Sequence, residues 1–92
     1  METVAEIRPR LSPHYVFRWE GSQNAHILLY PEGLIKLNPA AAEILKRCDG
    51  ERNAEAIIAD LAVSFPEHAE AIAVDTHAFL EAAFKKGWLR SA

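Results

Sequence analysis

From Tyr15 to Glu20 the chain alternates, with Tyr15, Phe17 and Trp19 on one side and His14, Val16 and Arg18 on the other. A period of two marks a strand with one wet face. Gly21-Ser22-Gln23-Asn24 reads as a hairpin loop. Ala25 to Tyr30 is a denser apolar run and predicts a central strand. Pro31 and Gly33 then bracket a tight turn: proline suits the second position of a type I turn, and the glycine accepts the left-handed conformation that closes a hairpin with a bulge. Leu34 to Leu37 predicts a short third strand, stopped by Asn38-Pro39. The result is an antiparallel meander whose third strand lies at an edge.

Beyond Asn38 the apolar period lengthens. Proline has no amide hydrogen for a ladder but fits the first helical position after an Asn cap. The first helix carries Ala41, Ile44, Leu45 and Cys48 on one stripe, and Gly50 is expected to end it. Asn53 can cap a second helix with the stripe Ile57, Ile58, Leu61 and Phe65; its third position is Ala56, so the reciprocal Glu of a capping box is missing. Ser64-Phe65-Pro66 interrupts the pattern. A third helix is expected from about Ala69 to Lys86, where Ile72, Thr76, Phe79, Leu80 and Ala83 recur at three and four. Lys85 and Lys86 suit the dipole of its last turn, Gly87 ends it, and Trp88-Leu89 can fold back on the core.

Three strands cannot bury their apolar face alone, so the helices must cover it. The expectation is an α+β domain, winged-helix-like, with a three-stranded antiparallel sheet followed by three helices. Residues 1–9 mix charge with few large apolar groups and read as a loosely held tail; residues 10–92 form one domain.

Composition narrows the functional classes. The 92 residues are half apolar, which suits one small core without staples. The single cysteine, Cys48, cannot form an internal disulfide, and its place on an apolar stripe predicts a buried thiol. No run approaches membrane-span length and no apolar N-terminal signal is visible, so the expectation is a soluble, cytoplasmic protein. Net charge is −3; residues 1–37 balance four basic against four acidic side chains, and residues 38–92 hold six against nine.

Little in the chain suggests catalysis. His14, His26, His68 and His77 have no ligand spacing, and Cys48 has no second thiol. Gly21, Gly33, Gly50 and Gly87 all read as turn or cap residues, with no phosphate-binding loop. No cofactor is expected. A winged-helix nucleic-acid binder is the alternative, since a helix-turn-helix can be drawn across residues 39–65. Its charge is wrong: from Glu51 to Phe65 only Arg52 opposes Glu51, Glu55 and Asp60. Phosphate contacts supply most non-specific DNA affinity, and an acidic reader works against that.

An edge strand points elsewhere. Its free main-chain groups can pair with an added strand, with affinity from the backbone and specificity from side-chain pockets. The third helix is the natural wall beside it. On this pattern Leu34, Ile35 and Leu37 are either ordinary core of a short, safe edge or contacts for an added strand. Asp75, polar in an apolar helix, either pairs structurally or holds a basic group or amide of a partner. A proline at Ile35 or Leu37 is expected to block the ladder.

Several pieces of the chain resemble one family in order and spacing: Leu28-Leu29-Tyr30-Pro31-Glu32-Gly33, Leu37-Asn38 with Ala42 and Ile44-Leu45, Asp49-Gly50, and Asp75 with Phe79-Leu80 and Gly87. Together they resemble the PqqD family of pyrroloquinoline quinone (PQQ) biosynthesis, over about Arg10 to Leu89. The resemblance implies a non-catalytic peptide chaperone, a RiPP recognition element. Such a protein binds the precursor peptide PqqA and presents it to PqqE, a radical S-adenosylmethionine enzyme that links a Glu and a Tyr of that peptide. It further implies that the leader adds as a strand beside Leu34, Ile35, Lys36 and Leu37, against one face of Asp75 to Phe84, with Asp75, Phe79, Leu80 and Ala83 as the candidate contacts on the helix. Ala83 stands where the family more often has Leu, and Ala56 where a capping Glu is common. Monomer and homodimer are both compatible with the sequence.

Overall fold

The computed structural model describes residues 7–92. Its elements in chain order are β1 (Pro9–Leu11), β2 (Val16–Glu20), β3 (Ala25–Tyr30), β4 (Gly33–Lys36), α1 (Pro39–Leu45), α2 (Ala54–Ser64), a 3-10 turn (Pro66–His68), α3 (Ala69–Lys85) and β5 (Leu89–Ser91). β2, β3 and β4 form the expected antiparallel meander with β3 in the middle. The β3–β4 connection is tighter than expected. Tyr30 pairs with Gly33, so Pro31 and Glu32 alone make the turn. Gly33 has φ 159°, at the margin of extended backbone, and not the left-handed conformation of a bulge.

A second sheet was not legible in the pattern. β1 and β5 pair antiparallel, Arg10 opposite Arg90. The expected loose tail of residues 1–9 is therefore corrected at its end: Pro9 is buried inside β1, while residues 1–6 lie outside the described residues. Ala92 N–H donates to Arg8 O at 2.9 Å, extending the pairing by one step.

Both asparagine caps form. Asn38 Oδ1 accepts from Ala41 N–H at 2.8 Å with Pro39 in the first helical turn, and Asn53 Oδ1 accepts from Ala56 N–H at 2.9 Å. Each such cap is worth about 1 kcal/mol. Gly50 does not end α1. The helix stops at Leu45, and Arg47 N–H and Cys48 N–H bond back to Ile44 and Leu45 carbonyls in a tightened turn. Gly50 serves a different contact: it has φ 82°, donates to Pro9 O at 3.0 Å, and a Cβ there would lie 3.2 Å from that of Ala92. Gly87, at φ 81°, does end α3 as expected. Its N–H reaches Phe84 O and Trp88 N–H reaches Ala83 O, the double bond of a Schellman cap.

The inner face of the meander meets the helices around one core that includes Leu28, Leu37, Ile44, Ile57, Leu80 and Leu89. Cys48 is buried in this core with its thiol on Ile44 O, as its stripe position implied. Arg47 fastens α1 to α2: its Nε lies 2.6 Å from Asp60, its guanidinium also bonds Glu43, and it reaches Ser64.

Candidate functional site

The margin of β4 away from β3 pairs with no strand among the described residues. Which of its peptide groups face outward follows from the register. Leu37 N–H donates to His26 O, and Leu28 stands opposite Ile35. In an antiparallel ladder, bonded and non-bonded pairs alternate. Ile35 and Leu37 therefore spend their backbone groups on β3, and the N–H and C=O of Leu34 and Lys36 point out of the sheet.

Side chains alternate independently, toward and away from the core. Ile35 and Leu37 lie on the side of Leu28 and pack into the core, Leu37 fully and Ile35 partly. Leu34 is 43% exposed, and Lys36 is exposed. This register corrects the expected proline test. Proline at Ile35 or Leu37 would break β4 from β3, whereas at Lys36 it removes only an outward donor.

On α3, Ile72, Asp75 and Phe79 recur at three and four and share a side of the helix. Ile72 and Phe79 are half-buried around the core that also holds Ile35. Phe79 packs on Trp88 with ring centroids 6.3 Å apart, and Lys86 Nζ lies 5.6 Å from the Trp88 ring. Asp75 is exposed at the mouth of a groove of about 450 Å³, whose walls are Pro39 and Ile44 of α1, Leu61 and Phe65 from α2 and its end, and Ile72 and Thr76 of α3. Since Pro39 follows β4 after Leu37 and Asn38, this groove opens beyond the end of the free margin.

The remaining expected contacts are enclosed. Leu80 is 6% exposed and Ala83 fully buried. Leu80 also borders a separate apolar hollow on the other side of α3, with Pro9 and Phe84. Both residues support the wall of the site and do not present a surface to a guest. Sequence reading passed over two members of the groove. Phe65 and Thr76 were read only as stripe residues, and in Thr76 the signal was a hydroxyl at a position otherwise filled by apolar side chains.

The electrostatics of the groove are set at its rim. The Glu43 carboxylate is held below its usual range, first by its bond from Lys46 and then by Arg47, so it is already satisfied. Among the described residues no group of His, Cys, Asp and Glu is arranged to hold a metal ion, and no helix is long and apolar enough to cross a membrane.

Fold and site together define a small α+β domain, winged-helix-like, with an open strand margin leading into an apolar groove. Comparison with known proteins gives the same class and narrows it. The family model described as coenzyme PQQ synthesis protein D (PqqD) matches residues 25–89. A protein of Stutzerimonas stutzeri is 49% identical over 81 residues, covering 88% of this chain and 87% of its own length. One of Azotobacter vinelandii is 46% identical over 88 residues, covering 96% and 95%. Each is named PqqA binding protein. The solution structure of the PqqD truncation of Methylobacterium extorquens PqqCD, described as a functional, stand-alone RiPP recognition element, superposes with a TM-score of 0.77 at 26% identity, covering 96% of this chain and 93% of that one. The chain belongs to the PqqD family.

Proposed function

We propose that this domain binds the precursor peptide PqqA as a strand added to the outer margin of β4, and holds it for modification by the radical S-adenosylmethionine enzyme PqqE. The domain itself is not the catalyst, and it works in the cytoplasm. The observation that carries this reading is the outward set of Leu34 and Lys36 backbone groups, which no described strand pairs. Relatives named for PqqA binding support the identity of the guest. The guest gains order as it docks, which lowers affinity per unit of interface area. On the inner side its residues would meet Ile35, which is partly buried against the core.

The test is calorimetric titration with synthetic PqqA. Lys36→Pro keeps the bonds from β4 to β3 and loses one outward donor, so its dichroism spectrum is expected to match the parent while affinity falls at least about tenfold through the lost bond and the ring's clash with the guest. Parent-like binding by Lys36→Pro would refute strand addition.

A further inference from the structure

Arg18, Arg47 and Arg52 each hold a carboxylate. The chain's other arginines, Arg8, Arg10 and Arg90, have no ion pair and no side-chain hydrogen bond among the described residues, and all of them are exposed. The small sheet sets them side by side. Arg10 stands opposite Arg90, and Ala92 N–H donates to Arg8 O, which carries the same register on to Arg8. Residues two apart on a strand share a face. Arg8, Arg10 and Arg90 therefore lie together on the outer face of β1 and β5, while Pro9 and Leu89 are buried beneath the other. Asp49 flanks this face without neutralising it. Its backbone bridges to Arg10, but its carboxylate accepts from Glu51 N–H, Arg52 N–H and the Arg52 guanidinium. The stem of Arg10 runs over Gly50, where an added Cβ would come 3.5 Å from its Cβ and Cδ, so the side chain is steadied at its root and exposed at its head.

Like charges directly opposite one another on paired strands are destabilising, and a sheet of two three-residue strands has little to offset them. Stability therefore gives no reason for arginine at both positions. An anionic partner does. A guanidinium presents a planar fork that matches a carboxylate with two bonds. Arg10 and Arg90 stand about 5 Å apart at the backbone, and Arg8 about 7 Å along the strand from Arg10, a compact patch suited to a cluster of Asp and Glu side chains. A phosphate backbone calls for a longer run of cations, and the chain as a whole carries −3. The small sheet shares no strand with the meander, so this face is separate from the β4 margin. We infer that the outer face of β1 and β5 docks an acidic patch on a second protein while the guest peptide occupies β4. In the role proposed above that protein is PqqE, and the inference rests on that reading.

The experiment compares the full chain with the triple variant R8Q/R10Q/R90Q and with Arg90→Gln alone; glutamine keeps most of each stem and removes the charge. Each is melted alone, titrated calorimetrically with synthetic PqqA, and titrated with PqqE in the presence of PqqA at low and at high salt. The triple variant is expected to melt no lower than the parent, because the repulsion between Arg10 and Arg90 is gone. It should bind PqqA within about twofold of the parent, since the two sites are separate. Its affinity for PqqE is expected to fall at least about tenfold at low salt, with Arg90→Gln in between. Added salt should weaken the parent's hold on PqqE far more than the variant's. Equal binding of PqqE by parent and variants, or parent binding that salt leaves unchanged, overturns the docking face while leaving strand addition standing. A triple variant that melts well below the parent assigns the arginines to the fold and overturns it as well. Binding of random DNA or anionic phospholipid vesicles by the parent, lost in the triple variant, gives the patch to another partner. A parent that binds PqqA but not PqqE overturns the docking face together with presentation to PqqE, and one that does not bind PqqA overturns strand addition too.

Discussion

Arg47 shows how single side chains hold this fold. Its side chain is 13% exposed and satisfied on three sides, by Asp60, by Glu43 and by the Ser64 hydroxyl. Arg47→Met removes the tie between α1 and α2 and leaves the Asp60 carboxylate unmatched, while Glu43 keeps Lys46. Its partners are partly solvated, so the loss is expected to be modest, about 1–2 kcal/mol in a urea titration. Asp49 works similarly at the approach to α2. The backbone N–H groups of Glu51 and then Arg52, with the Arg52 guanidinium adding to them, hold its carboxyl below the ordinary carboxylate range. A carboxylate whose folded pKa is depressed stabilises above its unfolded pKa and loses that contribution as pH falls through the folded one. Melting temperatures of the parent and Asp49→Asn should therefore differ near neutral pH and converge on acidification below the normal Asp range. Cys48 is the contrasting case: burial, with a smaller push from Asp49, raises its thiol to about 12. It should react slowly with a thiol reagent in the native state and readily in denaturant.

At the scale of elements, what could be read from sequence was what depends on neighbours in the chain. Asn38-Pro39 and Asn53 announce helix starts because a cap needs only residues within one turn. Gly87 announces a helix end for the same reason. Gly50 misled because a glycine after a helical stripe has the same local signature whether it caps a helix or makes room for Arg10 and Ala92 across the fold. The β1–β5 sheet left no trace: Pro9-Arg10-Leu11 and Leu89-Arg90-Ser91 are too short to show a period, and their partners lie at opposite ends of the sequence. The edge strand itself was legible, but which of its residues offer peptide groups outward depends on register with β3, and that is a tertiary fact. The same limit applied to Leu80 and Ala83, correctly placed on the α3 stripe yet enclosed by packing. The small sheet makes its own prediction. Leu89 is 3% exposed in the main core, so Leu89→Ala should cost about 2–5 kcal/mol and raise hydrogen exchange at Arg10, Leu11 and Leu89–Ser91 before it does so in the meander.

For the molecule as a whole, charge and surface set the choice of partner. The helical part carries the acidic excess, and α3 presents Glu70, Asp75 and Glu81 among its exposed residues. Winged-helix architecture alone would leave nucleic acid open as a ligand; the charge distribution opposes it. The expected outcome is no retention on heparin at physiological salt and no mobility shift with random DNA. A peptide docked on the β4 margin, as proposed, would occupy one edge of one sheet and leave the rest of the surface to a second protein. Pull-downs with PqqE are accordingly expected to retain PqqA and enzyme together, whereas competition between them would count against presentation.

Only two residues of β4 turn their peptide groups outward, so a guest paired there as proposed would gain at most a handful of backbone bonds from the domain. So brief a seam favours rapid exchange over permanent capture. A carrier that lets go easily can meet the next substrate molecule once the first has been processed, and a small pool of it can then serve a larger flow of peptide.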